Sequence, residues 1–292
     1  MSTAELAPHC RLEAGHGGLP VVRITNDHAD AEVYLNGATV THYRPRHAAH
    51  PILWTSAASN WEAGTPIRGG IPLCWPWFAD TGPADSPAHG LARIATWRVE
   101  GATTLAAGDT RLSLALDESL VDRSQWPHPF QLRLLVTVGQ TLDVALQIRH
   151  QGDAPVTWTG ALHTYFAVSD ARQVRVQGLD GRTFVDRMAG DAEKTQVGAI
   201  CFSEETDRIY ADAGPTTWIE DNAWQRRIRI TKRGSGSTVV WNPWIAKSAR
   251  MPDFGDDEWP HMCCVETARA AFDACTLNPG ERHELGVTIG LE

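Results

Sequence analysis

Four short segments concentrate residue types that can move protons, hold anions or stack against flat rings. The first is Arg68-Gly69-Gly70-Ile71-Pro72-Leu73-Cys74-Trp75-Pro76-Trp77-Phe78. Its arginine carries a planar fork of donors for an anion, its glycines permit close backbone approach to a ligand, and its tryptophans offer flat apolar faces. The others are His89-Gly90-Leu91-Ala92-Arg93, Ala161-Leu162-His163-Thr164-Tyr165-Phe166 and Met262-Cys263-Cys264-Val265-Glu266-Thr267. An imidazole titrates around neutrality and can serve as acid or base. A carboxylate set directly after an apolar run is costly to bury unless something pairs with it. Histidine and glutamate together are the makings of general acid–base chemistry. Glu204-Glu205-Thr206-Asp207 adds further carboxylates. Taken singly, each group also has a plainer reading: Arg68 as a surface charge, His163 as a hydrogen-bonded core histidine, Trp75 and Trp77 as core or turn packing, Glu204–Asp207 as an acidic loop. Glu266 admits a structural and a functional reading alike.

Strands must position these groups. Apolar and polar residues alternate in segment after segment, the period-2 signature of half-buried β-structure. Leu132, Leu134, Val136 and Val138, followed by Leu142, Val144, Leu146 and Ile148 across Gly139-Gln140-Thr141, predict an antiparallel hairpin. Similar runs occur at Leu112/Leu114/Leu116, Val174/Val176, Ile228/Ile230 and Val287/Ile289, and Lys232–Ser237 reads as the turn of a hairpin joining Ile230 to Val239-Val240-Trp241. No long amphipathic helix is encoded; Thr267–Ala274 has room for a turn or two. The charged stretch Met251–Pro260 reads as a surface loop. Many strands without a linker predict an all-β chain, one large antiparallel β-sandwich over 1–292 with its core at about 20–290.

With 35 acidic against 26 basic side chains among 292 residues, the net charge is −9. That balance argues against nucleic acid or an anionic membrane as partner, since both demand clustered Lys and Arg. Neither a secretory signal nor a run of about 18 apolar residues is present, so a cytoplasmic location is the expectation. Six cysteines are too sparse for a disulfide scaffold and include the neighbours Cys263-Cys264, which predicts reduced, mostly buried thiols. Without Cys-x-x-Cys or His-Glu-x-x-His, no metal is expected, and a nicotinamide cofactor is equally unsupported.

Together, Arg-Gly-Gly-Ile-Pro with its Trp-Pro-Trp-Phe tail, His-Gly-Leu-Ala-Arg, Leu-His-Thr-Tyr-Phe and Val-Glu-Thr resemble the hexose-6-phosphate mutarotase group of the galactose mutarotase-like superfamily. The resemblance spans Arg68 to Arg269 and implies a supersandwich fold of twisted antiparallel sheets. It implies His163 as general acid and Glu266 as general base. Arg68 and Arg93 match positions that contact the phosphate, with His89 close by, and Asp207 resembles the residue that binds sugar hydroxyls. Leu91 stands where an aromatic is frequent in the family. The implied reaction is interconversion of α and β anomers of a hexose 6-phosphate by ring opening and reclosure, without cofactor, in a monomer. The alternatives are a mutarotase of unphosphorylated aldoses and a non-catalytic carbohydrate-binding protein, which would need no acid–base couple.

Overall fold

The computed structural model describes residues 5–292. Two eight-stranded antiparallel sheets dominate it. One, the back sheet, runs in the order Arg175–Gln177, Thr216–Asp221, Arg226–Arg233, Arg282–Leu291, Leu142–His150, Phe130–Val138, Thr110–Asp117, Arg98–Thr104. The other, the front sheet, runs Ala192–Thr195, Thr183–Asp186, Thr206–Tyr210, Ser237–Asn242, Met262–Arg269, Gly160–Leu162, Leu73–Cys74, with Tyr165–Ala167 also paired to Met262–Arg269. A four-stranded meander covers Cys10–Ala14 to Val40–Pro45, and Val156–Trp158 pairs with Cys275–Leu277. One core lies between the sheets: Leu134, Val136, Leu146 and Val287 from behind meet Val240, Cys263 and Val265 from the front. The all-β sandwich expected from the alternation is the fold observed.

The Phe130–Val138/Leu142–His150 hairpin forms as the alternation predicts, with Val138 opposite Leu142 and Leu132 opposite Ile148. The proposed hairpin around Lys232–Ser237 does not form. Arg226–Arg233 pairs with back-sheet strands, whereas Ser237–Asn242 pairs with front-sheet strands. The segment hands the chain from one layer to the other: Ser235 and Ser237 hydroxyls both donate to the Ala268 carbonyl at 2.7 Å. Gly234 sits at φ +66°, where a Cβ would lie 1.8 Å from the Glu284 carbonyl oxygen. Alternation reports that a strand is half-buried, not which sheet it joins.

Two further expectations hold in outline and are refined. Thr267–Ala274 is strand up to Arg269, then a single 3-10 turn at Ala271–Asp273. Met251–Pro260 is a loop, but it buries Asp253, Phe254 and Trp259. The Glu258 carboxylate pins it, accepting from Ser56 Oγ at 2.6 Å and from the Ala57 amide at 2.9 Å. All six cysteines are free; Cys10, Cys74, Cys263 and Cys264 are buried, and Cys201 is exposed.

Candidate active site

The strand Met262–Arg269 is buried from Met262 to Ala268, and Glu266 is its one carboxylate. Odd-numbered Cys263 and Val265 enter the main core, so even-numbered Cys264 and Glu266 point to the opposite, outer face of the front sheet. There a cleft of about 490 Å³ opens, with Glu266 and His163 in its wall. Their meeting is a matter of register. Leu162 opposes Thr267 and Tyr165 opposes Cys264, so the same alignment sets His163 directly across from Glu266. The ladder is interrupted there: the His163 amide donates to the Pro72 carbonyl at 3.0 Å and the Thr164 amide to Leu162 at 2.9 Å.

His163 Nε2 stands 3.5 Å from Glu266 Oε1, with side chains 9% and 1% exposed. His163 Nδ1 and Glu266 Oε2 are buried with no hydrogen-bond partner. Burial, reinforced by Arg68 and Arg93, pushes the imidazole well below its usual range toward the neutral form. Burial, reinforced by Asp207, pushes the Glu266 carboxyl well above the carboxylate range. Burial thus disfavours the charged imidazolium and the charged carboxylate alike.

Arg68 lines the cleft but is largely committed. Nε and Nη2 donate to Asp253 at 3.1 and 3.0 Å, and Nη1 donates to the Tyr165 hydroxyl at 3.0 Å. The Tyr165 ring stacks on His163, with centroids 4.8 Å apart and 11° between planes. The close approach that the glycines after Arg68 permit is to the protein's own backbone. A Cβ on Gly69 would lie 2.4 Å from Thr55 Cα, and one on Gly70 2.1 Å from the Val40 carbonyl oxygen. They let this segment pack tightly on the protein's own backbone, with the Tyr165 amide donating to the Gly70 carbonyl.

His89 lines the same cleft at φ +61°, its ring 5.4 Å from that of His163. Its Nδ1 accepts from the Ala79 amide at 3.2 Å, which leaves the ring proton on Nε2. Burial first, then Arg93, keeps this ring neutral. Asp207, opposite Trp241 in the ladder, also lines the cleft, and burial raises its carboxyl above the usual range. Arg93 is not among the cleft-lining residues. It is half-buried at the edge of the site, donating from Nη2 to the Ala88 carbonyl at 2.6 Å, with Nε buried and unpartnered. Among the described residues no carboxylate pairs with it.

Trp75 and Trp77 follow their plainer reading: Trp75 packs on Phe130 with centroids 4.5 Å apart, and Trp77 Nε1 donates to the Pro87 carbonyl. The aromatic surface of the cleft is instead Trp241, Tyr165 and Phe78, the last residue of the same motif. Tyr165 was legible in principle, two residues after His163 and so on the same strand face. Asp253, Lys247 and Arg187 carried no sequence signal; the last two line the cleft paired to Glu205 at 3.2 Å and Asp191 at 2.9 Å.

The aldose 1-epimerase family matches residues 20–290. A protein of Cenchrus ciliaris named "Putative glucose-6-phosphate 1-epimerase" is 36% identical over 260 residues, covering 86% of this chain and 78% of that one. One of the same name from Escherichia coli K12 is 34% identical over 254 residues, covering 87% and 84%. The crystal structure of a "putative mutarotase" from Salmonella typhimurium superposes with a TM-score of 0.91 at 29% identity, covering 99% of this chain and 95% of that one.

Proposed function

The chain belongs to the aldose 1-epimerase family, and we propose on that footing that it interconverts the α and β anomers of a hexose 6-phosphate, with His163 as acid and Glu266 as base. The family's reaction makes it an isomerase of the anomeric centre. Ring opening needs a proton removed from the anomeric hydroxyl while the ring oxygen receives one. Those two oxygens share one carbon, so the acid and the base must themselves be near neighbours. The observation that carries the reading is the His163–Glu266 pair, 3.5 Å apart in the cleft wall, each with a second polar atom unspent.

With the ring open, Glu266 holds the proton and His163 is neutral, which is the state that burial favours in the empty site. Rotation about the first carbon–carbon bond turns the other aldehyde face toward the pair, and reclosure runs the transfers in reverse. Asp207 accepts from sugar hydroxyls, and His89 offers a neutral Nε2–H donor. Trp241 and Tyr165 give the ring its apolar wall.

Arg68 and Arg93 take the phosphate. A half-buried guanidinium without a counter-ion, as at Arg93, is relieved by a dianion. The same dianion offsets two positive charges that hold His163 neutral, and so moves the shared proton toward the imidazole. The phosphate end thereby prepares the acid at the other end of the sugar. Saturation-transfer NMR of α/β exchange tests the assignment against the spontaneous baseline. Acceleration of glucose 6-phosphate well beyond that of glucose is expected. Equal acceleration of both moves the assignment to unphosphorylated aldoses, and acceleration of neither refutes it.

A further inference from the structure

Cys264 turns to the same strand face as Glu266 and is fully buried beside the acid–base pair. A ring nitrogen of His163, Cys264 Sγ and a Glu266 carboxylate oxygen all lie within 4.8 Å of one another. Nothing in the anomer exchange uses the thiol. A thiol, an imidazole and a carboxylate converging on one point are the ligand types of Zn²⁺, bound at about 2.3 Å by sulfur and 2.0–2.2 Å by nitrogen and oxygen. Tetrahedral arms of that length separate nitrogen from oxygen by roughly 3.4 Å. The His163–Glu266 separation of 3.5 Å already meets this. His163 Nδ1 and Glu266 Oε2 are buried without partners, so the ring and the carboxylate have hydrogen-bonding capacity to spare.

We propose that His163, Cys264 and Glu266 form an inhibitory Zn²⁺ site in which metal and sugar compete for the same imidazole and carboxylate. The fourth position is left to water or a substrate hydroxyl. A thiolate and a carboxylate cancel the dication, and an electroneutral filled site suits surroundings that penalise net charge. Binding displaces two protons, one from the Cys264 thiol and one from the Glu266 carboxyl, and finds His163 already neutral. A thiol–imidazole contact nearby, Cys74 Sγ to His89 Nδ1 at 3.3 Å, is poorer: that nitrogen already accepts from the Ala79 amide. The metal site stands on the three ligand atoms alone, whereas the inhibition rests on His163 and Glu266 being the acid and base.

Co²⁺ reports the site directly, since a bound thiolate gives a charge-transfer band. Titration of the reduced, full-length protein should give that band at one equivalent. Cys264→Ser should abolish it, with Cys264→Ala as the second variant if serine does not fold. Cys201→Ser, which removes the exposed thiol, should leave it unchanged. Zn²⁺ should inhibit α/β exchange competitively with substrate, reversibly with chelator. Measured against each variant's own uninhibited rate, Cys264→Ser should need at least 30-fold more Zn²⁺. No band, a band surviving both Cys264 substitutions, or one lost in Cys201→Ser overturns the site. A Cys264-dependent band without inhibition keeps the site and overturns the acid–base assignment.

Discussion

The back sheet and the front sheet are built from the same alternating pattern, yet the strands at their centres differ in length and continuity. Behind, strands of nine and ten residues such as Phe130–Val138 and Arg282–Leu291 run in unbroken register with their core faces sealed. In front, Leu73–Cys74, Gly160–Leu162 and Tyr165–Ala167 are two or three residues long, and the ladder opens at His163. Ala79, His89 and Ala271, all lining the cleft, hold left-handed φ values that side chains rarely adopt. His163 Nδ1 and Glu266 Oε2, in the cleft wall, are buried without hydrogen-bond partners. The long back-sheet strands supply rigidity, and the front sheet uses it to hold strained residues and the buried acid–base pair in place.

Substitutions that separate chemistry from scaffold test this contrast. His163→Asn and Glu266→Gln should each lower catalysed α/β exchange by about 100-fold or more while the protein stays folded. The double variant should be scarcely worse than either single one, and near wild-type exchange in either would remove that residue from the mechanism. Arg93→Ala should lower kcat/KM for hexose 6-phosphate by roughly 10- to 150-fold and barely move the free hexose, since a hydrogen bond to a charged group contributes about 1.5–3 kcal/mol. Equal losses on both sugars would make Arg93 a support of the architecture.

In the back sheet the effect should reverse. Leu134→Ala, at a fully buried position, should cost about 2–5 kcal/mol in denaturant unfolding with kcat unchanged. A comparable fall in kcat would mean that the two sheets are not separable in this way. Asp253→Asn removes the clamp on Arg68 and should cost about 1.5–3 kcal/mol of stability and raise KM. An unchanged KM would show that Arg68 holds its place without it.

The smallest effect is in the pH dependence of stability. The folded Glu266 pKa lies above its unfolded value of 4.5, so its contribution is complete below that pH and is lost as pH rises. Wild type should therefore lose melting temperature relative to Glu266→Gln between pH 5 and 8. The folded His163 pKa lies below 6.5, so its contribution is present above that pH and is lost as pH falls. Relative to His163→Asn, wild type should weaken as the pH drops below 6.5. Parallel melting curves in both comparisons would mean that the pair is solvated and not held in its neutral form.

The residues with chemistry were legible in the sequence, and so were most strands, because a side chain's type and a period of two are local properties. Leu132 to Ile148 declared a hairpin with its turn, and Glu266 stood out because an apolar run ended on a carboxylate. Local properties do not name a partner. The alternation around Lys232–Ser237 is equally consistent with a hairpin and with the crossover that forms. Asp253 sits in a stretch whose charges suggested solvent, but buried Phe254 and Trp259 and the Glu258 contacts to Ser56 and Ala57 hold that stretch inward, against Arg68. What the sequence determined by itself was the class of fold and the presence of an acid, a base and arginines. The tertiary structure alone decided that one strand register sets His163 across from Glu266. It also decided that Asp253 occupies Arg68 while Arg93, among the described residues, has no carboxylate partner, and that burial disfavours the charged forms of both His163 and Glu266. Burial and charge pairing depend on residues far apart in the chain, and those meet only once the sheets are stacked.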